Sequence, residues 1–190
     1  MFAFKKKYFL IIESIKDINL RNIKKYNKFL IIYRNNANNE NYSDIKRFRN
    51  ACRLRSIKFF VANNISLAVF THADGIYLSS YNQIFRHLRL KSFNFSIIGS
   101  AHNAKEINLK LIQGCSYILL SKLFFVEYKK NSSFLGVIKF NNYARRTSID
   151  LIPLGGIKEI NLNSLRSLNC NGFAIMSEIK KKPAITNRLF

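Results

Sequence analysis

The sequence predicts a single α/β domain folded as a TIM (β/α)8 barrel. Short apolar runs recur along the chain at intervals of roughly 20 to 25 residues, which leaves room for a crossover helix between successive runs. Within each run the hydrophobicity is continuous rather than alternating, which is typical of parallel strands that are covered on both faces. A doubly wound open sheet is the second candidate architecture. Because no linker or low-complexity segment divides the chain, we expect residues 1–190 to form one domain.

The eight apolar runs give the predicted strands. They are Tyr8–Ile12, Phe29–Tyr33, Ile57–Val61, Gly75–Leu78, Phe95–Ile98, Tyr117–Leu120, Leu151–Leu154 and Phe173–Met176.

Helical spacing is visible between several of these strands. The region 17–27 contains at most a short helix, whereas the stretch after Tyr42 is amphipathic and has Ser43 or Asp44 as its candidate N-cap. A second amphipathic stretch, 106–113, ends at Gly114. Farther on, Asn161 or Asn163 is placed to cap a helix that runs through Leu168. Since only a short tail follows the last strand, we expect the eighth helix to be short or irregular.

The chain is strongly basic, with 32 Lys and Arg residues, 10 Asp and Glu residues and a net charge of +22. Such a charge ordinarily suggests a nucleic-acid partner. The basic residues are spread along the chain, however, and the accompanying abundance of Asn, Ile and Phe favours a codon-composition effect. No RNP-like, zinc-finger or helix-turn-helix signature is present. We therefore do not expect nucleic acid as a partner; small phosphorylated ligands are the partners that a basic surface would steer.

Cysteine usage and hydropathy indicate a cytoplasmic protein. Cys52, Cys115 and Cys170 lie far apart without a CxxC pair, which argues against a zinc site or a disulfide framework and fits a reducing compartment. No stretch reaches the roughly 18 continuous apolar residues of a membrane span, and no cleavage-type region follows the first apolar run. We expect neither a membrane segment nor a targeting peptide.

A Gly-Gly pair after the seventh predicted strand marks a candidate phosphate site. Gly155 and Gly156 end the segment Ser148–Ile157 just before a helical pattern begins. Glycines there allow backbone N–H groups to approach an anion, and the start of a helix favours negative charge. The next strand runs into Met176 and Ser177, and loops after the last two strands are where TIM barrels commonly bind phosphate. A tight turn without a ligand is the alternative interpretation.

Five short blocks at the ends of predicted strands occur in a distinctive order. They are Ile31-Ile32-Tyr33-Arg34, Phe59-Phe60-Val61-Ala62-Asn63-Asn64, Ala73-Asp74-Gly75-Ile76-Tyr77-Leu78, Ile98-Gly99-Ser100-Ala101-His102 and Pro153-Leu154-Gly155-Gly156-Ile157. In this order they resemble the family of thiamine phosphate synthase and its TenI relatives, over about residues 29–179.

The resemblance implies a TIM barrel that couples an aminopyrimidine pyrophosphate to a thiazole phosphate, with release of pyrophosphate and with Mg²⁺ as cofactor. It assigns Arg34 and Lys129 to the pyrophosphate, and Ser100 to a catalytic position after the fifth strand. Gly155 and Gly156, with Met176 and Ser177 on the adjacent loop, would bind the thiazole phosphate.

The sequence departs from the family pattern where the metal would bind. The resemblance places the metal ligands at Asn63 and Asn82, where the family has carboxylates, and Asn36 stands where the family has a lysine. Amide oxygens can ligate Mg²⁺, but the loss of two negative charges weakens the binding of a hard dication. We therefore predict a thiamine phosphate synthase-like transferase with a degenerate metal site.

Two alternatives remain open at this point. TenI thiazole tautomerases need no metal and use a histidine as acid and base, and His102 falls on that position. His102 is equally suited to a structural role at the start of a helix. The second alternative is a non-catalytic descendant that still binds a phosphorylated ligand.

Overall fold

The computed structural model of the chain describes residues 7–23, 26–37, 39–85, 95–126 and 133–176. Eight strands are present in these residues: β1 (Lys7–Ile12), β2 (Phe29–Tyr33), β3 (Lys58–Ala62), β4 (Gly75–Leu78), β5 (Ser96–Ala101), β6 (Tyr117–Ser121), β7 (Asp150–Leu154) and β8 (Gly172–Ile175). Four α-helices accompany them: α1 (Tyr42–Leu54), α2 (Ile65–Phe70), α3 (Ala104–Ile112) and α4 (Gly136–Arg145).

The strands form a closed parallel barrel in chain order, from β1 to β8 and back to β1. This arrangement confirms the predicted TIM barrel and excludes the open sheet, because an open sheet would leave two strands with a free edge. The predicted strands agree with the observed ones to within one or two residues at most ends. The largest difference is in β5, which continues to Ala101 where the prediction ended at Ile98.

Two apolar layers stabilise the barrel. Side chains that point inward from the eight strands fill the interior, and they include Phe9, Ile32, Phe60, Tyr77, Ile98 and Leu119. Side chains that point outward pack beneath the helices in a larger second cluster. Continuous apolar runs are therefore required, because each strand buries both of its faces.

The observed helix caps differ in part from the predicted ones. The N-cap of α1 is Asn41, whose side chain accepts a hydrogen bond from the backbone of Ser43, so the prediction of Ser43 or Asp44 was wrong. The helix before β8 is a 3-10 helix over Glu159–Ser167. It begins before Asn161, whose side-chain oxygen accepts a hydrogen bond from the backbone N–H of Lys158.

The weak pattern between β1 and β2 corresponds to three short 3-10 turns, Ile15–Asp17, Leu20–Asn22 and Tyr26–Lys28. Helices α2 and α4 were not predicted from the sequence. Among the described residues, no helix has the length and hydropathy that a membrane crossing requires.

Candidate active site

The carboxyl ends of the strands bring most of the predicted site residues to one rim of the barrel. Side chains alternate between the two faces of a strand, and Ile32, Ile98 and Leu119 point into the interior. Arg34, Ser100 and Ser121 follow these residues by two positions and therefore lie above the interior core, at the mouth of the barrel. TIM barrels carry their active sites at this end.

Arg34 lies at the mouth of the barrel. Its Nη2 is 3.3 Å from the sulfur of Met176, which follows β8, and its guanidinium also interacts with the hydroxyl of Tyr77. Ser100 forms a side-chain hydrogen bond with the same hydroxyl, and burial raises the pKa of Tyr77. Arg34, Tyr77, Ser100 and Met176 thus form one contact group across the barrel.

Among the described residues, no carboxylate lies within 4.0 Å of the Arg34 guanidinium. Between described residues, the only ion pair within 4.0 Å joins Arg47 to Asp44 on the surface of α1. The Nε atom of Arg34 is buried and has no hydrogen-bond partner in the described part of the chain. A thioether is a weak acceptor, so Met176 offsets little of the charge. With these neighbours in the described part of the chain, the guanidinium is suited to bind an anion in the mouth.

His102 lies on the loop between β5 and α3, two residues after Ser100. Its backbone N–H donates to Glu106 at 2.8 Å, and its Nδ1 is 2.9 Å from the carbonyl oxygen of Ser121. Because a carbonyl can only accept, Nδ1 carries the proton in the neutral ring and Nε2 has the free lone pair. The ring is exposed, so Nε2 can exchange a proton with a ligand.

The Gly155-Gly156 turn is built for close approach of two loops. Both residues have positive φ, +94° and +70°. A Cβ on Gly156 would lie 2.5 Å from the carbonyl oxygen of Phe125 and 2.7 Å from the carbonyl group of Phe124. The glycines thus allow the loop after β7 to pack directly on the loop after β6. The side chain of Asn161 fixes the turn by donating to the carbonyl of Gly156 at 2.7 Å.

Asn63 and Asn82, the predicted metal ligands, lie together and are hydrogen-bonded to each other. Asn82 Nδ2 donates to Asn63 Oδ1 at 3.0 Å, and the backbone N–H of Ser79 donates to the same oxygen at 3.1 Å. The Nδ2 of Asn63 donates to the Ser79 hydroxyl at 2.5 Å and to the Tyr81 hydroxyl at 3.3 Å. The oxygen of Asn82 accepts from the backbone of Ile84. We call Asn63 and Asn82 the amide pair.

The amide pair does not fit a divalent cation. Mg²⁺ requires oxygen ligands with free lone pairs, and it is bound in proteins through one or two carboxylates. Both lone pairs of Asn63 Oδ1 already accept hydrogen bonds, and the oxygen of Asn82 accepts another. No group of three or more His, Cys, Asp and Glu residues within the described ranges could hold a metal ion. The residues that the resemblance assigns to Mg²⁺ are instead hydrogen-bonded to each other.

Two buried polar residues, which the sequence did not single out, lie behind the amide pair. Lys110 in α3 and Gln113, the C-cap residue of α3, are both 0% exposed. Lys110 Nζ donates to the carbonyl oxygen of Asn82 at 2.7 Å, and Gln113 Nε2 donates to the carbonyls of Asn82 and Ile84 at 3.1 and 3.0 Å. Their helical spacing resembled an ordinary solvated face, so the sequence carried no signal of their burial.

Asn36 lies apart from the central group. It is exposed on the loop after β2, where it lines a cavity of about 700 Å³ between that loop and the loop after β1. Glu40 ties the two loops together by accepting from the hydroxyl of Ser14 at 2.6 Å and from the hydroxyl of Tyr33 at 2.7 Å. The predicted ligand contacts Lys129 and Ser177 lie outside the described residues.

The sequence profile described as thiamine monophosphate synthase matches residues 18–179. Among curated proteins, the chain is 29% identical over 149 residues to a thiamine-phosphate synthase of Prochlorococcus marinus. The aligned region covers 77% of this chain and 42% of that protein. A thiamine-phosphate synthase of Clostridioides difficile is 24% identical, and the aligned region covers 79% of this chain and 75% of that protein. The chain spans less than half the length of the Prochlorococcus relatives.

Solved structures show the same fold. The thiamine phosphate pyrophosphorylase of Pyrococcus furiosus superposes with a TM-score of 0.74 at 16% identity, over 97% of this chain and 95% of that one. A 3-hexulose-6-phosphate synthase reaches a TM-score of 0.72 at 10% identity, with coverage of 96% and 97%. At such low identities the superpositions show only that the barrel fold is shared. The profile match, which spans most of the chain, shows the family. The chain belongs to the thiamine monophosphate synthase family.

Proposed function

We propose that the protein is a thiamine phosphate synthase that couples an aminopyrimidine pyrophosphate to a thiazole phosphate without a divalent cation. Membership of the family supports a role in thiamine biosynthesis with small phosphorylated substrates. The observation that carries the proposal is the Arg34 guanidinium in the barrel mouth, buried at Nε and without a carboxylate partner between described residues. It supplies positive charge where the amide pair provides no metal ligand.

The coupling reaction makes three demands on the site. The bond between the pyrimidine methylene and the pyrophosphate oxygen breaks, and the electron pair leaves with the pyrophosphate. The thiazole nitrogen then donates its lone pair to the methylene cation, which forms the new C–N bond and gives a thiazolium. The site must therefore stabilise a departing anion, exclude water from the cation and hold the thiazole nearby.

Residues of this chain are suited to each demand. Arg34, with Lys129 from the loop after β6, binds the departing pyrophosphate in place of a metal. Tyr77 and the interior core beneath it form an apolar floor that excludes water from below the methylene cation. Gly155 and Gly156, with the loop that contains Met176 and Ser177, bind the thiazole phosphate and fix the distance between the two reacting atoms.

Product analysis with both precursors tests the proposal. The protein is incubated with the aminopyrimidine pyrophosphate and the thiazole phosphate, once in EDTA and once in Mg²⁺, and thiamine phosphate is measured by its oxidation to a fluorescent product. We expect product in both conditions. Arg34→Met should abolish formation, whereas Arg47→Met, which removes an exposed arginine of α1, should leave the rate unchanged. Product that forms only with Mg²⁺, or no product at all, contradicts the proposal.

The geometry of His102 favours a second candidate, a metal-independent thiazole tautomerase. The Nδ1 contact to the Ser121 carbonyl leaves Nε2 as the base, which suits proton transfer on a thiazole carboxylate phosphate. Isomerisation followed by NMR distinguishes the candidates. A tautomerase loses this activity in His102→Asn and is unaffected by chelators, whereas a synthase shows no isomerisation. Binding of the thiazole phosphate without either activity would identify a non-catalytic descendant.

We place this activity in a single domain of residues 1–190 and in the cytoplasm. Cys52 and Cys115 are buried thiols without a disulfide, which is consistent with a reducing compartment.

A further inference from the structure

The segment after β4 is held by an unbroken set of hydrogen bonds that runs from α3 to the barrel mouth. Lys110 and Gln113 hold the backbone carbonyl of Asn82, and the side chain of Asn82 holds the side chain of Asn63. Asn63 in turn reaches the hydroxyl of Tyr81. Each link is a contact between a donor and an acceptor, and no link requires a ligand.

Lys110 has space for this role because of Gly99. A Cβ on Gly99 would lie 2.9 Å from both Cγ and Cδ of Lys110, so the aliphatic stem of the lysine lies flat against β5. The stem is packed as a hydrophobic residue would be, and only the terminal amine is polar. Gln113 accepts one hydrogen bond from this amine at 2.9 Å. A buried lysine is unfavourable unless its amine is hydrogen-bonded, and here the amine bonds to the loop itself.

We propose that Lys110 and Gln113 are positioning residues that hold the segment Ser79–Ile84 and the amide pair in place without a divalent cation. The amide pair occupies the place that the resemblance assigns to a metal, and its oxygens are saturated by N–H donors. A metal ion draws two loops together through shared ligands, whereas in this chain the bond from Asn82 to Asn63 does so, and α3 supports it from behind.

Residue-resolved hydrogen exchange of the ligand-free protein tests this inference independently of any reaction. The amides of Ser79 and Ile84 are the reporters, because they donate to Asn63 Oδ1 and Asn82 Oδ1. In the wild type, their exchange should be the same in EDTA and in Mg²⁺. In Lys110→Met, which retains the length of the stem, loss of a buried bond to a carbonyl should accelerate both amides by about tenfold.

The controls separate local positioning from general loss of stability. Ile107→Val shortens a buried side chain on the same helix, and Lys105→Met removes an exposed charge from it. Neither variant should accelerate the exchange of the reporter amides more than it accelerates the exchange of the amides in β5 and β6. Gln113→Met is the second variant, in case Lys110→Met does not fold, and we expect it to accelerate the amide of Ile84.

Conversion of the amide pair to carboxylates provides a further readout. In the double variant Asn63→Asp/Asn82→Asp, Mg²⁺ should slow the exchange of Ser79 and Ile84, because two free carboxylates restore a dication site. The inference is overturned if Mg²⁺ slows or EDTA accelerates these amides in the wild type. It is also overturned if Lys110→Met affects them no more than Ile107→Val does. Because no substrate is present, a failure here is distinct from a failure of the proposed coupling reaction.

Discussion

Burial changes the titration of three side chains that lie outside the barrel, between the sheet and the helices. Loss of water raises the pKa of the Cys52 and Cys115 thiols to about 12, because the charged thiolate is disfavoured. The same cause lowers the pKa of Lys110, because there the protonated form carries the charge. The two thiols and the lysine amine of this layer therefore titrate differently from cysteine and lysine side chains on a protein surface.

Cys52 and Cys115 should resist alkylation in the folded protein. At pH 8, a thiol with a pKa near 12 is ionised about a thousandfold less than one with an ordinary pKa near 9, and only the thiolate reacts. Mass spectrometry after brief treatment with iodoacetamide should find Cys170, which is half-buried, labelled well before the other two. Equal labelling of all three thiols in native buffer would contradict the burial of Cys52 and Cys115, and denatured protein provides the fully labelled reference.

Lys110 should make the protein more stable as the pH rises. Unfolding restores its ordinary pKa of 10.5, so between the lowered native pKa and 10.5 the unfolded chain binds more protons than the folded one. The free energy of unfolding then increases with pH across that window. Lys110→Met should show a shallower increase in denaturation midpoint between pH 7 and pH 10, and Lys105→Met serves as the control for the change in total charge. Parallel curves for the wild type and Lys110→Met would show that the pKa of Lys110 is unchanged on folding.

At the scale of elements, the strands could be predicted from the sequence because a parallel strand that is buried on both faces leaves a continuous apolar run. The short helix α2 and the helix α4 left weaker signals. Helix α2 has only six residues, and α4 begins at Gly136 without a side-chain cap. Sequence rules need both a sustained period and a cap: α2 is capped by Asn64 but too short to show a period, and α4 has no side-chain cap.

The candidate site was predictable in part for the same reason. Arg34, Ser100 and His102 follow strands, and strand ends converge on one rim of a parallel barrel. The partners of the amide pair could not be predicted, because Ser79 and Tyr81 lie in an irregular loop whose path depends on tertiary contacts. Nor could the burial of Lys110, since a lysine in an amphipathic helix is ordinarily solvated.

The two loops that meet at Gly156 give a prediction at this scale. A side chain at position 156 would collide with the backbone of Phe124 and Phe125 and would also adopt a φ of +70°. Gly156→Ala should lower the free energy of unfolding by about 2 kcal/mol or more, from strain and overpacking together. Gly136→Ala is the matched control, because Gly136 has a φ of +66° and nothing within 4 Å of its Cβ position.

Denaturant unfolding of both variants gives the part of the stability loss that comes from the close approach of the two loops. Gly136→Ala has only the unfavourable φ, which costs about 1 kcal/mol. An equal loss of stability in the two variants would mean that the loop after β6 moves aside without cost, and that the contact between the loops is not a fixed part of the proposed phosphate site.

At the scale of the whole molecule, a barrel of 190 residues carries a net charge of +22. Like charges repel more strongly in the compact fold than in the expanded chain, so the charge lowers the stability of the native state. The acidic residues are too few to offset it, and between described residues one ion pair is found, the exposed Arg47–Asp44 pair of α1. Screening by mobile anions in the solvent should therefore favour the folded state.

Salt should accordingly stabilise the protein. Raising NaCl from 10 mM to 500 mM shortens the Debye length from about 30 Å to about 4 Å and screens the repulsion between basic residues. We expect the unfolding midpoint to rise over this range. Pyrophosphate at low ionic strength should raise it further than chloride of equal ionic strength, because binding at Arg34 adds to screening. Arg34→Met should lose the extra effect of pyrophosphate and retain the response to NaCl, whereas a midpoint that falls with NaCl would show that the surface charges are arranged favourably in the fold.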